Sequence, residues 1–122
     1  MLNLLRYQNE PIIMGNKGKL HQAFLNIISN AEQSIVSHGK ISVVTEIKKR
    51  YIYIAITDSG CGISQEYLKK ILDPFFTTKA PGKGTGLGLS ITYNVIKEYG
   101  GDLKFQSQVD IGTTAIVKLI LK

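Results

Sequence analysis

The stretch KISVVTEIKKRYIYIAITDSGCG, residues 40–62, is the one on which the fold turns. Its apolar runs, 40–47 and 51–57, are rich in β-branched and aromatic residues and flank the basic cluster Lys48-Lys49-Arg50. Alternation of this kind predicts two paired strands joined by a solvated turn. The pattern stops at Asp58, where S-G-C-G supplies turn residues. An aspartate there has an ordinary reading as a turn starter. It has a functional one too, because a carboxylate at the end of a buried strand can accept a hydrogen bond from an exocyclic amine.

Before the hairpin, Leu20, Ala23, Phe24, Ile27, Ile28, Ala31 and Ile35 recur at helical spacing from Lys17 to about Ser37. Asn16 suits the N-cap and His38-Gly39 the stop. Residues 2–8 and 11–14 read as short strands around Asn9-Glu10, so the chain opens inside a strand, as if cut from something longer. After the hairpin, SQEYLKKI at 64–71 opens with a capping serine and predicts a short helix. Residues 73–86 lack periodicity and predict a long loop, of the kind that is usually functional. A helix over 87–99, stopped by Gly100-Gly101, precedes a hairpin of 102–108 and 113–122 across VDIG. This order predicts a two-layer α/β sandwich, a mixed sheet with about three helices on one face.

A chain of 122 residues makes a single domain, 1–122. No window is apolar enough for a membrane span, and MLNLLRYQ lacks the features of a signal peptide, so no membrane contact is expected. The single Cys61 excludes an internal disulfide and fits a reducing, cytoplasmic setting. A net charge of +6 raises nucleic acid as a partner, but the basic residues are scattered and not interleaved with aromatics. No nucleic-acid partner is expected; a moderate positive field also suits a small polyanion such as a nucleotide.

GKGTGLGLS at 82–90 places a glycine at every second position from Gly82 to Gly88 and runs into the second long helix. Close approach of backbone to a phosphate at a helix N-terminus explains such a loop; a merely flexible loop is the alternative. The P-loop is excluded because Lys83 is followed by Gly84, and the dinucleotide fingerprint because positions 87 and 89 are leucine. Asn26 and Asn30, four apart, share a helix face at the edge of the apolar stripe. They are either a surface pair bonded locally or neutral oxygen ligands for a metal–phosphate group.

In order along the chain stand Asn26-x-x-x-Asn30-Ala31, Asp58-x-Gly60-x-Gly62, Asp73-Pro74-Phe75-Phe76-Thr77-Thr78-Lys79, Gly84-x-Gly86-x-Gly88 and Gly112-Thr113-Thr114. This set resembles the N box, the F box and the three glycine boxes of the catalytic and ATP-binding domain of sensor histidine kinases. That domain shares a superfamily with gyrase, the ninety-kilodalton heat-shock chaperones and the MutL-type repair proteins. The resemblance covers about residues 17–120 and implies the layered Bergerat fold. It implies that Asp58 holds the adenine amine, with Gly60, Gly62, Ile63 and Ser34 around the base and Thr114 near it, through water. Asn30, with Asn26 beside it, would coordinate Mg²⁺ on the ATP phosphates. Gly84, Thr85, Gly86, Leu87, Gly88 and Leu89 would bring backbone to the phosphates. Phe75 and Phe76 would root a lid, residues 77–86, that orders only with nucleotide, and Thr77, Thr78 and Lys79 would reach the phosphates, Lys79 with a catalytic role. The short lid and its threonines resemble the nitrogen-regulation type.

Many members of the family carry a basic and an aromatic residue where this chain has Gln33 and Ser34. Neither His21 nor His38 stands in an acceptor-like setting, so the phosphorylated histidine is expected on a separate dimerisation domain, with a response regulator as the indirect partner. The chain then reads as the ATP-binding part of a larger kinase. The gyrase- and chaperone-type ATPase is the rival reading, and such enzymes carry a glutamate base where this chain has Asn26, whose amide is a poor base. A nucleotide-sensing module without phosphotransfer is a third.

Overall fold

Asn16 opens the first helix: its backbone is extended and its side-chain oxygen accepts from the Lys19 N–H at 2.9 Å, satisfying one donor that a helix start leaves over. In the computed structural model, which describes residues 13, 15–73 and 88–122, this helix, α1, runs Lys17–Ser34. It ends before the expected Ser37. The Ser34 hydroxyl stands 2.7 Å from the Ala31 carbonyl, the Ser34 carbonyl accepts from the Cys61 N–H at 3.0 Å, and Ile35 is already extended. The loop after Asp58 thus takes the acceptor that a further helical turn would use.

Strands β1 (Ile41–Lys48) and β2 (Tyr51–Asp58) pair antiparallel with Lys48 opposite Tyr51, so the basic cluster supplies the turn, with Lys49 at φ 57°. Helix α2 is only Gln65–Leu68, capped by Ser64, and the expected remainder to 71 is turn. Helix α3 (Gly88–Glu98) closes with the Gly101 N–H on the Ile96 carbonyl and the Gly100 N–H on the Lys97 carbonyl, each 3.0 Å. Such a close uses carbonyls that a helix end leaves over. Strands β3 (Asp102–Gln108) and β4 (Gly112–Ile120) form the second hairpin, with Gln108 opposite Gly112.

The sheet order is β1-β2-β4-β3, and every pairing among the described residues is antiparallel. Ile13 adds one antiparallel bridge to Leu121. The parallel neighbour that a mixed sheet needs is not among them; the expected strand 2–8 lies outside the described residues.

Period-two alternation divides the sheet into two faces. On the inner face, Thr113, Ala115, Val117 and Leu119 of β4 are buried beside Ile56 and Leu103. Helix α1 brings Ile27 and α3 brings Ile96 to this cluster, while Ile52, Ile54 and Phe105 pack at its margin. Fully burying a side chain such as Ile96 or Val117 contributes about 1.5–3 kcal/mol. The two helices pack on one another, α1 against β2 and α3 against β3, so β1 projects beyond them with Val43 55%, Val44 61% and Ile47 52% exposed. The consequence is that β2 and β4, not the edge, carry the groups held under α1.

Candidate functional site

Asp58 is the last residue of β2 and only 6% exposed. Strand register places it opposite Ile41 on one side and Thr113 on the other, and Thr113 is in turn opposite Ser107. Partners across a sheet share a face, so Asp58, Thr113 and Ser107 form one polar row on the inner face. The Asp58 carboxylate is fixed through a single oxygen: Oδ1 accepts from the Gly60 N–H at 2.9 Å and from the Ser34 hydroxyl at 3.1 Å. Among the described residues nothing bonds Oδ2. A buried, rigid carboxylate therefore keeps one acceptor for a donor from outside.

Two glycines make this geometry possible. Gly62 has φ 75°, and a Cβ there would stand 2.2 Å from the Gln108 carbonyl oxygen. Gly112 has φ 145°, and its Cβ would meet the Asp58 carbonyl oxygen at 2.0 Å. Positive φ with backbone at such range admits no side chain without displacement. The loop after β2 is thereby pressed onto the second hairpin, where the Asp110 N–H also donates to the Cys61 carbonyl at 2.8 Å.

Thr114 is not at this site. It lies on the outer face, where its hydroxyl is 3.0 Å from that of Thr57. The physical reason is the pleat: one residue along β4 reverses the face, so Thr113, 8% exposed, is the threonine beside Asp58. Sequence reading had no register with which to choose between the adjacent threonines. It also missed Ser107, whose Oγ accepts from the Ile63 N–H at 2.7 Å and lies 2.7 Å from Thr113 Oγ1. A hint was available in the inward phase of Leu103 and Phe105, which puts Ser107 on the same face.

On α1, Asn30 turns its amide nitrogen to the Asn26 carbonyl at 2.8 Å. Asn26 instead ties the two helices together: Nδ2 donates to Thr92 Oγ1 at 3.2 Å and to the Gly88 carbonyl at 3.5 Å, and its Oδ1 accepts from Gln22 at 3.1 Å. Gly88 is the first residue of α3 and Leu89 is half-buried, so the N-terminus of α3 faces Asn26. Phe75, Phe76, Thr77, Thr78, Lys79, Gly84, Thr85, Gly86 and Leu87 lie outside the described residues. Among the described residues, no three His, Cys, Asp or Glu side chains cluster as a metal site.

A fixed carboxylate under one helix and the start of another close by suit a base at one end and phosphates at the other. Residues 15–122 match the model of a family described as histidine kinase-, DNA gyrase B- and HSP90-like ATPase. The chain belongs to this ATPase family. Its relatives include the sensor histidine kinase ZraS of Escherichia coli, 41% identical over 85% of the chain and 22% of ZraS. The kinase AtoS of the same organism is 43% identical over 84% of the chain and 17% of AtoS. Sporulation kinase C of Bacillus subtilis is 39% identical over 91% of the chain and 26% of that protein. The chain thus spans about a quarter or less of the curated relatives it matches. Among solved structures, the nucleotide-free catalytic domain of the histidine kinase ThkA aligns at TM-score 0.77 with 32% identity, over 90% of this chain and 71% of that one. The mycobacterial sensor histidine kinase MprB aligns at 0.81 over 99% and 89%, and at 24% identity it speaks for the fold alone. With this ATPase family comes a nucleotide as substrate, and the named relatives place the chain with its histidine kinases.

Proposed function

We propose that this domain binds Mg²⁺·ATP and presents the γ-phosphate to a histidine on a separate dimerisation and phosphoacceptor domain, which then phosphorylates a response regulator. The observation that carries the reading is the half-committed carboxylate of Asp58, its Oδ1 held by Gly60 and Ser34. Its Oδ2 accepts from the adenine amine, Gly62 and Ile63 line the base, and Thr113 replaces Thr114 as the hydroxyl nearby. The N-terminus of α3, at Gly88 and Leu89, offers backbone N–H groups and the positive end of the helix dipole to the phosphates. The family resemblance assigns Lys79, Gly84 and Gly86 to the phosphates as well.

The donor set fits magnesium, which is commonly held by one or two protein oxygens and by substrate phosphates. Asn30 is assigned to the metal with Asn26 beside it, and the Asn26 oxygen also accepts from Gln22. Magnesium supplies charge neutralisation on the phosphates. The protein aligns the γ-phosphorus for attack by an imidazole nitrogen; the N–P bond forms as the bond to the β-phosphate oxygen breaks, and ADP leaves. Asn26 has no lone pair that serves as a base and is bonded at both ends, so water is not activated there.

Turnover separates this reading from its rivals. Incubated with Mg²⁺·ATP and a dimerisation domain from a related kinase, the chain should transfer radiolabelled phosphate to an acid-labile site on that domain. Without it, phosphate release should stay at background. Sustained release by the chain alone would make it a hydrolase; nucleotide binding with no transfer would make it a sensing module.

A further inference from the structure

Ser107 makes three hydrogen bonds, and a hydroxyl has one proton and two acceptor positions. Its Oγ accepts from the Ile63 N–H at 2.7 Å and donates to the Gly112 carbonyl at 3.0 Å. The remaining contact, 2.7 Å to Thr113 Oγ1, can be satisfied only if Thr113 is its donor. We infer that Ser107 is a positioning residue for base selectivity: by taking the Thr113 proton, it leaves the side chains of Asp58 and Thr113 presenting acceptors only.

The consequence reaches the base edge through the row Asp58–Thr113–Ser107 on the inner face. Asp58 is an acceptor as a carboxylate. Thr113, with its hydrogen directed along the sheet to β3, offers lone pairs beside it. A 6-amino purine has two N–H groups to set against such a rim, directly or through water, whereas a 6-oxo purine brings an acceptor and meets no side-chain donor from Asp58 or Thr113. Left to itself, a threonine hydroxyl rotates and could donate to the 6-oxo group. Ser107 removes that freedom without touching the nucleotide. Its bond to Ile63 also holds the loop after Asp58 against the same hairpin, so the wall and the proton are set by one group.

This rests on the adenine assignment under Proposed function, and the test separates the two. Titrating the full chain with Mg²⁺·ATP and Mg²⁺·GTP by calorimetry gives the selectivity ratio for the wild type, Ser107→Ala, Thr113→Val and the double variant. Ser107→Ala should lower the preference for ATP about tenfold, chiefly through tighter GTP binding, as expected when one mis-set hydrogen bond is relieved. In the Thr113→Val background, which has no hydroxyl to orient, Ser107→Ala should leave the ratio unchanged. A merely structural serine would weaken both nucleotides together and act equally in both backgrounds, and that pattern overturns the inference. Thermal unfolding identifies a variant that fails to fold. Should Ser107→Ala be one, Ser107→Thr, which keeps the hydroxyl, must keep the wild-type ratio for the inference to stand. A wild type without ATP preference defeats the adenine assignment, and this inference with it; preference unchanged in a folded Ser107→Ala defeats the inference alone.

Discussion

In Asp58→Asn, the side chain keeps its shape but must choose which end carries hydrogens, and the structure dictates the choice. The Oδ1 position receives the Gly60 N–H at 2.9 Å and the Ser34 hydroxyl at 3.1 Å. An NH₂ there would face a backbone donor that cannot rotate away, although Ser34 can direct its hydrogen to the Ala31 carbonyl. The amide oxygen therefore takes the inner position and the nitrogen points to the proposed adenine position. A donor then opposes the amine, and a charge-assisted hydrogen bond worth about 1.5–3 kcal/mol is lost. Affinity for ATP should fall about 10- to 150-fold. GTP should gain, because its 6-oxo group now meets a donor. Calorimetry with both nucleotides, beside a thermal melt to establish folding, measures each effect. A folded variant that binds ATP within about threefold of the wild type would refute the reasoning, since that is under 1 kcal/mol.

Gly62→Ala should cost about 1–3 kcal/mol from strain at positive φ and lower the melting temperature by several degrees; an unchanged melt would show that the loop can move off the Gln108 carbonyl. Asn26→Ala should destabilise by about 1–3 kcal/mol, because it leaves the fully buried Thr92 hydroxyl without its partner; urea unfolding gives the figure. Gly88→Ala has the opposite sign for stability. Among the described residues its Cβ would meet only Asn26 Cγ, at 4.0 Å, so a gain of about 0.5–1 kcal/mol is expected from helix propensity. Any loss of ATP binding in that variant should be absent for adenosine, which calorimetry distinguishes.

Local rules carried most of the fold. Asn16, Ser64 and Gly100 fix the boundaries they suggested, and the two hairpins turn where the basic cluster and VDIG lie. Boundaries failed where a distant segment intervened. Nothing near Ser34 tells that Cys61 will take its carbonyl, and that contact ends α1. The site divides the same way. Asp58, Gly60 and Gly62 were legible as a spacing, whereas Thr113 over Thr114 depends on the register of β4 against β2, which joins Asp58 to Thr113 far along the chain, and Ser107 needed the inward phase of β3 to be followed to its end. Asn26 was legible as a polar residue at the edge of the apolar stripe but not as a tie to Thr92, which needs the packing of α1 on α3.

The exposed strand β1 has a bearing on how this domain behaves in concentrated solution. Among the described residues it pairs with β2 alone, and none of them covers the N–H and C=O groups of its other edge with a strand. Val43, Val44 and Ile47 make that edge sticky, and Glu46 and Lys48 are the charges that deter stacking of one copy on the next. Neutralising the two should seed strand-by-strand self-association, while Asp58, opposite Ile41 at the other end of β1, is left unchanged.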